Sequence, residues 1–276
     1  KAKHGLFDKL VYSKVRKLLV NRAQYAISGS APLGKDLAHF YRGMGVQILE
    51  GYGLTETTAP ITVNRTGHLK IGTVGTVLPG NAIRIDADGE IKIKGQSVMR
   101  GYFNNTDATK QVLDEDGWFS TGDYGSIDAD GYLSIVGRKK DLIITAGGKN
   151  VAPAILEDPI RAHPLVSQIV VVGDNRPFVA AMITLVAEML PAWLENSCLD
   201  PKMGVLEAKD NPAVLAVLQE AVDAANSNVS QAESIRKFVV LPGDFTVEAG
   251  HLTPKLSIKR QAILQDWSKT IEAIYS

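Results

Sequence analysis

Residues 51–60 read Gly-Tyr-Gly-Leu-Thr-Glu-Thr-Thr-Ala-Pro, with the apolar pair Ile48 and Leu49 just upstream. A buried strand running into a glycine-rich loop is the arrangement in which an open α/β sheet holds a ligand. The glycines permit close backbone approach. Tyr52 offers a face for stacking. Thr55 and Glu56 offer hard oxygen ligands of the kind magnesium takes beside a nucleotide. The plainer reading of the same ten residues is a glycine-rich turn with a capping threonine.

The preceding residues carry the α/β pattern. Leu6 to Leu19 mixes basic and apolar residues at helical spacing and predicts a surface helix. Gln24 to Ser28 predicts a short strand. Leu33, Leu37, Phe40, Tyr41 and Met44 recur at helix period, and Gly43 and Gly45 end that helix. The order helix, strand, helix, strand implies a parallel layer. Past residue 70 the period drops to two. Ile83 and Ile85, a turn at Asp88-Gly89, then Ile91 and Ile93 predict a hairpin; Gly125 to Ile127 and Tyr132 to Val136, about Asp130-Gly131, predict another. These make a small antiparallel β subdomain. The charged stretch Gly137-Arg138-Lys139-Lys140-Asp141 reads as a linker, dividing the chain into residues 1–140 and 141–276.

Beyond it a mixed pattern returns. Pro153 to Ala162 predicts a helix, Ile169 to Val172 and Phe178 to Val186 buried strands, and Asp210-Asn211-Pro212 a helix start running on to Val229. Phe238 to Leu241 predicts a strand, and Ile263 to Ile274 a terminal helix.

Composition narrows the function. The 276 residues are 45% apolar with a formal net charge of zero, which argues against a dedicated nucleic-acid binder. Cys198 is the single cysteine, so no internal disulfide forms, and a reducing, cytoplasmic setting is expected. The five histidines are scattered without ligand spacing, and no apolar run reaches membrane-spanning length.

Four further stretches carry polar chemistry. Ser120-Thr121-Gly122-Asp123 is expected on an exposed turn between strands, where Asp123 either accepts from ribose hydroxyls or closes an Asx turn. Arg138 stands at a strand end, to meet the same sugar, a phosphate or solvent. Thr145 to Asn150, with Gly147, Gly148 and Lys149, is a flexible loop before a helix. Leu252 to Arg260 is a basic loop whose lysines suit a developing negative charge.

Taken in order, GSAPL, GYGLTETTAP, STGD, GRKKDLI, GGKNV and TPKLSIKR resemble the adenylate-forming enzyme superfamily, and most closely its long-chain fatty-acid–CoA ligases. The resemblance covers essentially the whole chain. It implies an α/β end of a large adenylation domain followed by a hinged α+β domain. It also implies ATP and Mg2+, and CoA as co-substrate, with a fatty acid joined to CoA through an acyl-adenylate. By that resemblance Gly29, Ser30 and Ala31, with Gly51, Tyr52 and Gly53, hold adenine. Thr55 binds phosphate and Glu56 the magnesium. Asp123 and Arg138 bind the ribose, Asp141 is the hinge, and Gly147, Gly148 and Lys149 line the CoA channel. Two departures stand out. The family's upstream phosphate-binding loop is not in this sequence, so the chain reads as the C-terminal half of the enzyme, inactive alone and prone to self-association through the face around residues 20–60. The family's adenylation lysine falls on Ser257, so Lys255 or Lys259 is expected to substitute, Lys255 first. A fatty acyl-AMP ligase loading a carrier protein, and a half that only binds nucleotide or a partner, are the competing readings. A fatty-acid substrate also suggests a peripheral membrane contact.

Overall fold

A computed structural model describes residues 2–31, 33–254 and 256–276 of the chain. The backbone divides into two compact units, Lys1–Lys140 and Asp141–Ser276.

The first unit opens with a continuous helical stretch. Its α-helical ends, Ala2–Phe7 and Ser13–Leu19, flank a π-helical turn, Asp8–Tyr12. Arg16 anchors it, donating through one guanidinium nitrogen to Asp8 and to the Met44 carbonyl, each at 2.6 Å. It lies at the surface but leaves Leu6, Leu10 and Val11 exposed, where a surface helix ordinarily buries its apolar side. The strand β1 (Ala26–Ser28), the helix Lys35–Gly43 and the strand β2 (Ile48–Tyr52) follow. β1 and β2 run parallel, with Ser28 opposite Glu50. The sheet then turns antiparallel through β3 (Thr62–Val63) and β4 (Thr76–Val77), so only its first pair is parallel. β2 continues through Gly51 and Tyr52, two residues that the sequence alone reads as loop.

The second sheet of this unit is a meander of β5 (Asn81–Ile85), β6 (Glu90–Gly95), β7 (Phe119–Ile127) and β8 (Leu133–Arg138). Its alternating isoleucines face a small core in which Ile61, Ile91, Ile93 and Leu133 are buried and Tyr52 and Leu54 are partly buried. The expected turn at Ser120–Asp123 is instead inside β7. There the pairing with β6 skips: Glu90 pairs with Tyr124, Lys92 with Ser120. The extra residues form a bulge, the usual device for re-aiming a side chain next to a site.

In the second unit a short hairpin comes first, β9 (Ile143–Ile144) with β10 (Asn150–Val151). Residues 145–149 therefore close a hairpin rather than joining a strand directly to a helix. The main sheet is β11 (Val166–Val172), β12 (Val179–Leu185) and β13 (Ile235–Val240), with β12 central, antiparallel to β11 and parallel to β13. Every residue of β12 is buried. Ala181 and Ile183 point into a core shared with the helices Pro153–Arg161, Leu190–Asn196 and Pro212–Asn226. Ala180 and Met182 point into a second core closed by Ile263, Ile271 and Ile274. The period of two thus serves two buried faces, which is why the strand reads as an unbroken apolar run.

The helix Pro212–Asn226 starts as its sequence requires, with the Asn211 side chain accepting from the Ala213 N–H at 2.9 Å. It stops short of Val229, because the Asn226 side chain turns to bond the backbone of Ile235, accepting from its N–H and donating to its carbonyl. The terminal helix is two pieces, Arg260–Asp266 and Ser268–Tyr275, broken at Trp267.

Candidate functional site

Parallel pairing makes β1 and β2 end on the same side, so the turns behind them meet. Gly29, Ser30 and Ala31 form the exposed turn after β1. A Cβ on Gly29 would lie 3.4 Å from the Gly51 carbonyl oxygen. The Leu33 N–H donates to Glu50 Oε1 at 3.3 Å, and burial raises that carboxyl above its ordinary range.

The loop beyond β2 is closed by its own hydroxyl. Thr57 Oγ1 accepts from the Leu54 N–H at 2.9 Å and donates to the Leu54 carbonyl. This folds Thr55–Thr57 into a 3-10 turn with Thr55 exposed. Gly53 is required by space: a Cβ there would lie 2.9 Å from the Ala59 Cα. Glu56 is half-buried on the turn. Its Oε1 accepts from the Tyr102 hydroxyl at 3.0 Å, and its carbonyl accepts from the Met99 N–H.

The β7 bulge brings Asp123 to this loop. Gly122, at φ +70, has the left-handed backbone that glycine adopts without strain. Thr121 Oγ1 donates to the Ile91 carbonyl at 2.7 Å, covering a ladder position the bulge leaves open. Asp123 is 4% exposed, a buried carboxylate rather than the exposed turn residue expected. Its Oδ2 accepts from the Tyr52 hydroxyl at 2.6 Å, and its Oδ1 lies 3.2 Å from Arg138 Nε. Arg138 is opposite Asp123 on β8, and its side chain is half-exposed. Burial chiefly, then the Asp123 charge, raises the Tyr52 phenol well above its ordinary value. The phenol therefore stays a donor. Each carboxylate oxygen has two lone pairs, so Asp123 can still accept hydroxyl donors from a sugar. Glu56, with one oxygen held by Tyr102, supplies a single carboxylate. That suits magnesium, which is commonly bound by one or two carboxylates and the substrate phosphates. These residues fit a nucleotide and its metal.

In the second unit Gly148, at φ +76, donates its N–H to the Thr145 carbonyl at 2.8 Å and shapes the β9–β10 turn. Lys149 lies on that turn, with its ammonium 3.5 Å from Glu233. The basic stretch 252–260 is likewise folded back. Leu252 bridges Ile258, and the Thr253 N–H donates to the Ser257 carbonyl at 2.8 Å. Ser257 and Lys259 are exposed. Lys255 lies outside the described residues. Behind this turn Arg260 is pinned from within the unit. It donates to the buried Glu157 at 2.6 Å and to the Val171 carbonyl at 2.8 Å.

Residues 4–103 match the family described as AMP-binding enzyme, and residues 140–276 that described as AMP-binding enzyme C-terminal domain. The whole chain is 50% identical to the long-chain-fatty-acid–CoA ligase FadD15 of Mycobacterium bovis, covering 46% of that protein. It is 36% identical, over 98% of its length, to the putative fatty-acid–CoA ligase fadD11 of Mycobacterium tuberculosis, covering 47% of it. The chain belongs to the adenylate-forming, AMP-binding enzymes.

It spans about half the length of the curated relatives it matches. The architecture agrees with solved adenylation domains. The A-PCP didomain of carboxylic acid reductase from Segniliparus rugosus, in complex with AMP, matches with a TM-score of 0.73 at 25% identity. That match covers 99% of this chain and 39% of that one. Set in an adenylate-forming enzyme, four side chains gain meaning that the sequence reading did not give them: Glu90, Tyr102, Lys139 and Glu157. Tyr102 holds Glu56, and Glu157 holds Arg260. Glu90 follows the Asp88-Gly89 turn and faces the β7 bulge, a position that strand alternation marks only as the first residue of β6. Among the described residues no helix is long and apolar enough to cross a membrane.

Proposed function

We propose that the chain is the C-terminal part of a long-chain fatty-acid–CoA ligase. Residues 1–140 are the end of its large domain, and 141–276 the small domain that moves about Asp141. The parent enzyme joins a fatty acid to ATP, releasing pyrophosphate, and the acyl-adenylate is then attacked by the CoA thiol. What supports the reading is the Tyr52–Asp123–Arg138 cluster, assembled from three strands, in a chain 50% identical throughout to a long-chain ligase.

In this chain the residues clamp and orient. Asp123 and Arg138 take the ribose hydroxyls. The turn at Gly29–Ala31 and the end of β2 at Gly51–Gly53 border the adenine, with the Tyr52 ring held in place by its hydroxyl. Thr55 meets a phosphate. Glu56 holds Mg2+, which when bound neutralises phosphate charge. In-line attack on a phosphoryl group depends more on such positioning than on a base. Gly147, Gly148 and Lys149 border the CoA arm. Lys255, with Lys259 as alternate, supplies the cation to the adenylation step.

The test is fatty-acid-dependent exchange of pyrophosphate into ATP, run on this chain and on the full-length enzyme. Exchange confined to the full-length enzyme is expected, and measurable exchange by the chain alone would overturn its assigned inactivity. Likeness to a didomain that carries a PCP favours a second reading, transfer to a carrier protein. Product formation that needs CoA rejects it. The exposed Ile27 on the edge strand β1, with exposed Leu37 and Phe40, supports self-association of the isolated chain, which light scattering at rising concentration reads directly. A peripheral membrane contact and a cytoplasmic setting complete the proposal.

A further inference from the structure

Glu90 opens β6 with its side chain 9% exposed. Both carboxylate oxygens are engaged, and in different directions. Oε1 accepts from the Gly122 N–H at 2.9 Å, inside the bulge that aims Asp123. Oε2 accepts from Lys139 Nζ at 3.0 Å, one residue beyond Arg138 and two before Asp141. A second carboxylate, Asp88, accepts from the same ammonium at 3.0 Å, and the Tyr124 ring lies under it at 5.9 Å. Lys140, the next residue, is exposed and makes no ion pair among the described residues. The side-chain grip therefore ends at Lys139, the first residue of the 3-10 turn Lys139–Asp141.

An exposed lysine–carboxylate pair contributes little, because water competes for both ends. Here one end is buried, and its other oxygen is committed to a backbone N–H. Removing Lys139 leaves the Glu90 charge where water reaches poorly, whereas removing Glu90 leaves the half-exposed ammonium to Asp88 and solvent. The Glu90 carboxylate, more than Asp88, raises the Lys139 ammonium above its ordinary range.

We infer that Glu90 is a positioning residue, tying the Asp123 bulge to the point at which the chain leaves the first unit, so that one carboxylate aligns the nucleotide clamp and fixes the pivot. The inference rests on the reading of Asp123 as ribose ligand and Asp141 as hinge. It makes two measurable demands. The backbone after Lys139 must loosen when the grip is lost, and the step that needs the small domain to move must suffer more than adenylation.

The test uses the full-length enzyme with Glu90→Gln, Lys139→Met and the double variant. Gln keeps an amide oxygen for Gly122 but presents no charge to Lys139. Lys139→Met removes the same contact from the exposed side, and so serves should Glu90→Gln fail to fold. Trypsin cleavage after Lys140 is expected to quicken about fivefold in each single variant, reporting local opening. The double variant should cleave no faster than the quicker single, since both remove the Glu90–Lys139 pair and Lys139→Met takes the Asp88 pair with it. In Glu90→Gln, CoA-thioester formation should fall about tenfold more than pyrophosphate exchange. Unchanged cleavage, or additive acceleration in the double variant, overturns the inference. So does an equal fall in both half-reactions with cleavage quickened, which would make Glu90 a stabilising residue only. Should the wild type show no exchange, the functional reading fails, while quickened, non-additive cleavage still establishes the anchor.

Discussion

The sheet of β5–β8 and the sheet of β11–β13 solve opposite problems. β12 is buried along its whole length, between two cores that take alternate residues. Nothing in it is free to bind. β7 is longer, only partly buried, and interrupted by a bulge that turns a carboxylate toward another strand's tyrosine. The first unit gives up ladder regularity for an aimed side chain. The second confines its register shifts to strand starts, at Val166 and Val179, and carries its candidate groups on turns outside the sheet. Chemistry and rigidity are thus separated between the two units, and each can be damaged alone.

Four substitutions would break or sharpen that contrast. The largest effect on function belongs to the bulge. Asp123→Asn in the full-length enzyme leaves Tyr52 and Arg138 facing a neutral amide. Affinity for AMP, measured by calorimetry, should fall about 10- to 100-fold, the worth of a charge-assisted hydrogen bond or two. The largest effect on stability belongs to the second unit. Glu157→Ala strands Arg260 against the Val171 carbonyl and should cost about 3 kcal/mol in urea unfolding of that unit. The first unit's transition should stay where it was; a shift in both would end the case for separate roles.

Gly53→Ala is next. Its Cβ would press on the Ala59 Cα at 2.9 Å, an overpacking worth about 1–3 kcal/mol. The cost should appear in thermal unfolding of the first unit, with exchange activity lowered as the loop is displaced.

The smallest effect is Tyr52→Phe, about 1 kcal/mol for one hydrogen bond. Its signature is in alkaline pH. The folded phenol ionises later than the unfolded one, whose ordinary value is 10.0. Its stabilising contribution is therefore whole below pH 10 and is lost as the pH climbs beyond. Wild type should lose stability faster than Tyr52→Phe above pH 10, and the ultraviolet titration of the variant should lack one late-ionising tyrosine. Tyr275, pushed up by burial to about 12, remains as the internal reference.

Local signals were the legible ones. Alternating isoleucines about Asp88-Gly89 gave β5 and β6, and Asn211-Pro212 gave the start of the long helix, because each is decided within a few residues. The β7 bulge was not legible. Ser120–Asp123 has the composition of a turn, and only pairing with Glu90 and Lys92 keeps it in the sheet. The halt of the helix at Asn226 likewise depends on a strand nine residues away. In the candidate site the motif residues could be named from order alone. Their partners Glu90, Tyr102 and Glu157 could not, since each reaches its partner across dozens of residues.

The parallel pairing of β12 with β13 bears on how the second unit assembles. β11 and β12 are joined by a short turn and can zip locally. β13 must wait until the chain has travelled through the helices Leu190–Asn196 and Pro212–Asn226 and come back. Closing a long excursion is paid in chain entropy before any contact rewards it, which slows folding. Until then β12 has a bare edge made of Ala180, Ala181, Met182 and Ile183, an adhesive surface during synthesis. The nascent unit is therefore at greatest hazard between completing β12 and completing β13, and helix formation in that interval sets how long the hazard lasts.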